Sequence, residues 1–119
     1  MILVDTSVWI EFFRKGSPKM RSLLETGEVL MHPFVLGELA CGNLKSRVRV
    51  LADLAELPRA TVAQEDEVLA FIENYKLMGQ GVGYLDMHLL ASARLSGGAG
   101  LWTHDKKLSA LASRVLAMH

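Results

Sequence analysis

Short apolar runs alternate with helix-like segments along the whole chain. The first run, Ile2–Val4, is continuously apolar, which is typical of a strand buried on both faces of a parallel sheet. A second strand is predicted over Glu28–His32, a third over Leu101–Thr103, and a last one over Arg114–Met118. Because helix-like segments separate these strands, the pattern predicts an α/β fold.

Start and stop signals give the bounds of the predicted helices. The pair Ser17-Pro18 places a capping serine before a proline at the first helical position, and Gly27 ends that helix. The predicted helices run from the first strand to about Lys15, from Ser17 to Gly27, from Pro33 to about Gly42, from Ser46 to Leu57, from Glu65 to Met78, from Asp86 to Ser96, and, as a short helix, from Asp105 onward.

The length and composition indicate one ordinary globular domain spanning residues 1–119. Half of the residues are hydrophobic and 22% are charged, which excludes a disordered chain. The lone Cys41 cannot form an internal disulfide, so nothing suggests an oxidising compartment. No apolar run approaches the roughly 20 residues that span a bilayer. We therefore expect a cytoplasmic protein without a membrane segment.

The balance of charge gives no general attraction to nucleic acid. Thirteen basic and thirteen acidic residues cancel, so any binding of nucleic acid must be local. Basic residues concentrate in three groups, namely Arg14, Lys15, Lys19 and Arg21; Lys45, Arg47 and Arg49; and Lys106 and Lys107. Each group is also compatible with an ordinary solvated face.

Four acidic residues stand out by their positions. Asp5 closes the first apolar run and Asp105 follows the third, so both lie just beyond the carboxyl ends of predicted parallel strands. Open α/β sheets bind their ligands at that edge. Asp86 and Glu38 lie at helical spacings from apolar residues, which predicts that both carboxylates point inward.

Each acid alone also has a structural explanation. Aspartate is a favoured N-cap residue, so the three aspartates could simply begin helices. Glu38 could be partly exposed, or it could pair with an arginine such as Arg47 or Arg49. Together, however, four like charges in one small fold repel one another unless a cation neutralises them. Oxygen ligands favour Mg²⁺ or Mn²⁺, so the set predicts metal-assisted phosphodiester hydrolysis with one or two ions.

Several motifs in order resemble the PIN-domain ribonucleases, in particular the VapC-like toxins of toxin–antitoxin pairs. They are Ile2-Leu3-Val4-Asp5-Thr6-Ser7, Glu38-Leu39, Gly83-Tyr84-Leu85-Asp86 with Leu89-Leu90-Ala91, and Leu101-Trp102-Thr103-His104-Asp105. The likeness runs nearly end to end. Each motif alone is weak, but the ordered set is specific. The resemblance implies a three-layer α/β/α fold with a central, mostly parallel sheet.

The resemblance also implies roles and partners. The four acids would be catalytic and would bind Mg²⁺ or Mn²⁺, while the hydroxyls of Thr6, Ser7 and Thr103 would orient carboxylates or instead cap helices. An RNA substrate, a homodimer and a cognate antitoxin that wraps the helices and blocks the site are implied as well. We expect Lys106 and Lys107 to contact RNA phosphates.

Two histidines near the acids are not expected to join them. His88 lies about 200° around the helix from Asp86 at ~100° per residue, so it should pack or face solvent. His104 alternates away from its neighbours Thr103 and Asp105, which argues against a catalytic role.

Two other classes of protein deserve comparison. A phosphoacceptor receiver domain needs an aspartate at the end of a middle strand, and the nearest candidate is Asp53. Val50, Leu54 and Leu57 have helical spacing around it, which predicts a helix there instead. A non-catalytic RNA- or protein-binding module of the same fold would be expected to lack some of the four acids, and all four are present.

Overall fold

The computed structural model describes residues 1–116 as alternating strands and helices. The elements are β1 (Ile2–Val4), α1 (Thr6–Lys15), α2 (Pro18–Glu25), β2 (Val29–Leu30), α3 (Pro33–Ala40), α4 (Arg47–Ala55), α5 (Glu65–Tyr75), α6 (Tyr84–Leu95), β3 (Gly100–Trp102) and α7 (Lys106–Leu116). Within the described residues no helix is long and apolar enough to cross a membrane.

The sheet places β1 at its centre. Its order is β2-β1-β3, and both pairings are parallel. Leu3 lies opposite Leu30 on one side, and Val4 lies opposite Trp102 on the other. The strands therefore end at one common edge, which Asp5 immediately follows. This arrangement confirms the predicted α/β fold with a parallel sheet, and its helix-rich surroundings are consistent with the α/β/α layers.

Burial explains why the short strands form. Leu3 and Val4 have no exposed surface, because β1 is covered on both faces. Helix α6 packs against β1 and β3, and its residues Met87 to Ala93 are all buried. A helix that is buried around its circumference is the central support of the fold. It begins two residues before the predicted start at Asp86.

Local signals place the helix α2 as predicted. The Ser17 hydroxyl accepts a hydrogen bond from the amide of Met20 at 3.2 Å, and Pro18 occupies the first helical position. Gly27 follows the helix with a φ of 69°, a left-handed conformation that favours glycine. These contacts fix the turn that leads into β2.

The predicted last strand at Arg114–Met118 is wrong as far as the structure describes it. Helix α7 continues through Leu116, and residues 117 and 118 lie outside the described residues. The buried side chains of Leu108, Leu111, Ala112 and Val115 recur with the period of a helix. That stripe outweighs the short apolar run at the end, so the helix after Asp105 is eleven residues long rather than short.

Candidate active site at the carboxyl edge of the sheet

The Asp5 carboxylate is held in one orientation by three hydrogen bonds. One oxygen accepts from the Thr6 amide at 2.7 Å; the other accepts from the Ser7 hydroxyl at 3.0 Å and the Thr103 hydroxyl at 2.7 Å. Only 8% of Asp5 is exposed. The side chain caps α1, as the structural explanation expected, and it is also fixed at the end of the central strand.

The end of β3 is joined to the same cluster. The Thr103 hydroxyl donates to Asp5 and accepts from the Asp105 amide at 3.1 Å. The Ser7 hydroxyl donates to Asp5 and accepts from the amide of His104 at 3.2 Å. Asp105 itself caps α7, because one of its oxygens accepts from an amide of that helix. Two hydroxyls therefore connect the ends of β1 and β3.

Glu38 reaches the cluster from α3 through a threonine. The Thr6 hydroxyl donates to a Glu38 oxygen at 2.8 Å. Glu38 is exposed, so the expectation that its side chain points into the apolar side of α3 is wrong. The buried stripe of α3 consists of Val35 and Leu39, and the neighbouring Glu38 lies outside it.

Neither of the expected arginines pairs with Glu38 in the described part of the chain. The guanidinium of Arg47 instead donates to the carbonyls of Ala40 and Gly42, where it satisfies acceptors at the end of α3. Glu38 thus remains available beside Thr6.

Asp86 faces the other three acids from the first turn of α6. The side chain is half-buried, and its pKa is raised from 3.8 to about 6. Burial is the largest cause of this shift, and the negative charges of Asp5, Asp105 and Glu38 contribute the rest. The structure therefore brings the four predicted acids into one electrostatic neighbourhood.

The donor set suits a hard divalent cation in an open site. Among residues 1–116, no three His, Cys, Asp or Glu side chains are close enough together to hold an ion by themselves. Mg²⁺ commonly keeps several waters and uses one or two carboxylates together with substrate phosphates. Four carboxylates that repel one another, all with oxygen donors, fit such an ion better than they fit zinc.

The two predicted phosphate-binding lysines lie in the first turn of α7, directly after Asp105. Both Lys106 and Lys107 are exposed. The Lys107 side chain lies against Gly81, where an added Cβ would come within 2.8 Å of its ammonium nitrogen. Lys107 therefore contacts the glycine-rich loop before α6.

The histidines next to the acids take the positions that their spacing predicted. His88 is 7% exposed and lies between the rings of Phe34 and Tyr84, at centroid distances of 5.0 and 4.6 Å. The side chain of His104 instead contacts Glu11 on α1, with 2.7 Å between Nε2 and a carboxylate oxygen. Neither is placed among the acids.

A third histidine, His32, was missed by the sequence analysis. It is fully buried; its Nδ1 accepts from the Phe34 amide at 3.0 Å, and its Nε2 is 3.1 Å from the Ser92 hydroxyl. Because Nδ1 is an acceptor, Nε2 carries the proton and donates to Ser92. His32 therefore joins α3, which carries Glu38, to α6. Its place before Pro33, at a helix start, was the available signal.

The receiver-domain alternative is contradicted by the fold. Asp53 is exposed and lies in the last turn of α4 rather than at the end of a strand. The acids at the sheet edge are therefore the relevant cluster.

Comparison with known proteins agrees with the motifs. Residues 2–113 match the PIN domain family. Two proteins named Ribonuclease VapC32, from Mycobacterium tuberculosis strains CDC 1551 / Oshkosh and ATCC 25618 / H37Rv, are each 48% identical to this chain over 110 residues. The aligned part covers 92% of this chain and 89% of each relative. The likeness to VapC proteins is thereby confirmed, and the chain belongs to the PIN-domain family.

Proposed function

We propose that this protein is an endoribonuclease toxin that requires Mg²⁺ or Mn²⁺, with Asp5, Glu38, Asp86 and Asp105 as its metal-binding and catalytic acids. The main support for this proposal is the hydrogen-bond network around Asp5, which connects the ends of β1 and β3 and the helix α3. The VapC ribonucleases named above support the reaction class. We place the activity in the cytoplasm.

The hydrogen bonds assign distinct tasks to the side chains. Thr103 and Ser7 fix the Asp5 carboxylate before any substrate arrives, and Thr6 positions Glu38. Such partners of a ligating carboxylate set its orientation and its basicity. A bound divalent ion supplies Lewis-acid chemistry for breaking the phosphodiester bond. The raised pKa of Asp86 supports its role, because the charges that shift it, those of Asp5, Asp105 and Glu38, are all negative.

We propose that the exposed Lys106 and Lys107 contact RNA phosphates near the acids. Their position at the start of α7, next to Asp105, supports this role. Phosphate contacts from lysine give affinity without reading sequence. Lys106 is the stronger candidate, because the Lys107 side chain already lies on Gly81.

A second part of the proposal concerns the antitoxin. An apolar groove of about 510 Å³ runs between α1 and the α3–α4 region and is lined by Ile10, Phe13, Leu39, Leu44 and Val50. Ile10 and Phe13 are 54% and 39% exposed, so two large apolar side chains of the same groove are open to a partner. Glu38 also lines the groove, so an amphipathic antitoxin helix bound there would cover one of the four acids.

We also propose a homodimer. Large apolar side chains outside the groove, including Leu69, Leu85 and Leu95, are between 44% and 54% exposed and are available to a second copy. Light scattering of the purified protein tests this directly, and a monomer at micromolar concentration would contradict it.

One experiment tests the enzymatic proposal. Purified protein is incubated with total cellular RNA in chelator, in Mg²⁺ and in Mn²⁺, and the new RNA ends are sequenced. We expect defined new ends only with metal and only with wild type, not with a folded Asp5→Asn variant. RNA binding without any new ends would instead support a non-catalytic module, and cleavage in chelator would contradict the metal requirement.

A further inference from the structure

Three cations lie around the turn between α1 and α2, where Lys15 and Arg21 line one pocket and Lys19 lies against Trp102. We call Lys15, Lys19 and Arg21 the corner patch; all three side chains are exposed. The chain as a whole has no net charge, so this concentration is local. A local positive patch is the electrostatic footprint expected where a neutral protein contacts an anionic polymer.

The corner patch borders a pocket rather than a flat surface. The pocket has a volume of about 400 Å³ and is lined by Lys15, Ser17, Arg21, Ser22 and Glu25, with Gly16 and Pro18 in the turn. Two of the side chains that line the pocket are cationic and one is acidic. The Arg21 guanidinium can hold a phosphate in a bidentate manner, and Lys15 can add a point charge.

Contacts connect the corner patch to the strand that carries the active-site threonine. The Lys19 ammonium lies 4.3 Å from the ring centroid of Trp102, the residue before Thr103. Lys15 is 3.3 Å from Glu11, whose other carboxylate oxygen contacts His104, the residue after Thr103. Trp102 therefore contacts the corner patch directly, and His104 is joined to it through Glu11.

The distance between the corner patch and Asp5 excludes direct contact of the patch with the phosphodiester bond that is cut. Lys15 follows Asp5 by ten residues along α1, which is about 15 Å at ~1.5 Å per residue. A stacked strand advances about 3.4 Å per nucleotide, so roughly four nucleotides span this distance. The corner patch can thus reach only flanking parts of a bound strand.

We propose that the corner patch binds backbone phosphates of the RNA strand several nucleotides away from the cleaved bond, an inference that rests on the proposed ribonuclease function. RNA is favoured over an acidic protein segment because the patch is continuous with the loop of Thr103. Phosphate contacts make the affinity depend on the length of the RNA and not on its sequence.

The test compares Lys15→Ala/Arg21→Ala with wild type and with Lys45→Ala/Arg49→Ala, which removes the same charge elsewhere. Anisotropy of labelled RNA is measured in chelator, so binding is read without cleavage. For a 20-nucleotide RNA we expect the salt slope to fall by about 1.4, or roughly 25-fold in affinity at 0.1 M salt, since each lost contact removes ~0.7. A dinucleotide, which is too short to reach from the acids to the corner patch, should bind all three proteins alike.

Cleavage with Mn²⁺ separates this inference from the proposed function. Wild type that cuts neither RNA refutes the ribonuclease function, while the chelator binding data still decide on the corner patch. We expect Lys15→Ala/Arg21→Ala to raise KM for the long RNA and to leave kcat unchanged. Equal salt slopes of RNA binding for the two double variants would overturn the proposal. So would a Lys15→Ala/Arg21→Ala variant that loses antitoxin binding but binds RNA normally. Lys15→Gln/Arg21→Gln repeats the test should the alanine variant fold poorly.

Discussion

Burial favours the neutral form of one side chain in each of two polar clusters of this protein, but the two clusters are built differently. Around His32 both ring nitrogens have partners, and burial lowers the pKa from 6.5 to about 4, with smaller contributions from His88 and Arg59. Around Asp86, burial also favours the neutral form, but three like charges add to the effect. The hydrogen bonds of the first cluster are complete without a ligand, whereas the second gathers like charges that the cation of our proposed function would neutralise.

The difference separates a structural polar site from the site that we propose to be functional. Buried polar groups that are fully hydrogen-bonded stabilise one packing arrangement. Like charges placed together cost stability and persist where function requires them. Perturbed pKa values alone would have marked both His32 and Asp86; the hydrogen-bond partners distinguish them.

The largest expected effect is on catalysis at the acid cluster. Asp86→Asn or Asp5→Asn should reduce Mn²⁺-dependent RNA cleavage well over 100-fold, because loss of mere outer partners of a metal ligand already costs about 10- to 100-fold. Initial rates on one defined RNA provide the measurement, and circular dichroism checks the fold. A folded Asp86→Asn variant with near-normal cleavage rates would show that Asp86 is not part of a catalytic site.

The next effect concerns acid stability at His32. Its lowered pKa means that the folded protein binds a proton less readily than the unfolded chain. Protonation of His32 in the unfolded chain therefore lowers the free energy of unfolding, by nothing above about pH 6.5 and by an increasing amount down to about pH 4. The shift corresponds to a loss of about 3 kcal/mol of unfolding free energy.

Urea unfolding at pH 7 and pH 4 measures this loss. His32→Gln, which does not titrate, should lose about 3 kcal/mol less than wild type over the same interval. The variant's own starting stability does not matter, because only the two pH differences are compared. Equal differences would show that His32 is not the group responsible.

A smaller effect is expected at the hydroxyl that links the two strand ends. Thr103→Val keeps the shape but removes the hydrogen bond to Asp5, and it should lower cleavage about 10- to 100-fold. Thr103→Ser retains the hydroxyl and should keep most of the activity. If both variants were equally slow, the methyl group rather than the hydroxyl would matter, and the orienting role would be wrong.

The smallest effect is the stability that the fold loses by burying the Asp86 carboxylate and placing it near three like charges. A carboxyl whose folded pKa is raised destabilises the fold above that pKa, and the penalty fades as the pH falls through about 6. In chelator at pH 7, Asp86→Asn should therefore be more stable than wild type by about 1 to 2 kcal/mol, allowing for solvent screening of a half-buried group. The advantage should vanish near pH 4, opposite in sign to the trend at His32.

Sequence patterns predicted most of the fold because they are local. Three elements are each determined by nearby residues: β1 by the run Ile2–Val4, α2 by the pair Ser17-Pro18, and α5 by apolar residues at helical spacing, namely Val68, Phe71, Ile72 and Tyr75. The end of α7 was mispredicted because Val115 and Leu116 fit a strand as well as a helix until their packing is known. Such ambiguity is expected for short apolar runs.

The acid cluster was predictable in its members but not in its contacts. Strand ends and helical spacing identified all four acids, since parallel strands end at one edge. The exposure of Glu38 and its bond with Thr6 depend on how α3 lies against α1, which no local pattern contains. The same holds for the pairing of His104 with Glu11 across 93 residues, the difference between 104 and 11.

The most direct test of the central claim is a thermal melt of wild type and Asp86→Asn at pH 7, each in chelator and in Mn²⁺. Mn²⁺ at 100 times its dissociation constant should stabilise wild type by about 2.7 kcal/mol. Asp86→Asn should melt higher than wild type in chelator yet gain less from Mn²⁺, because one repelling charge and one ligand disappear together. Equal gains from Mn²⁺ in the two proteins would contradict the assignment of these acids to a metal site.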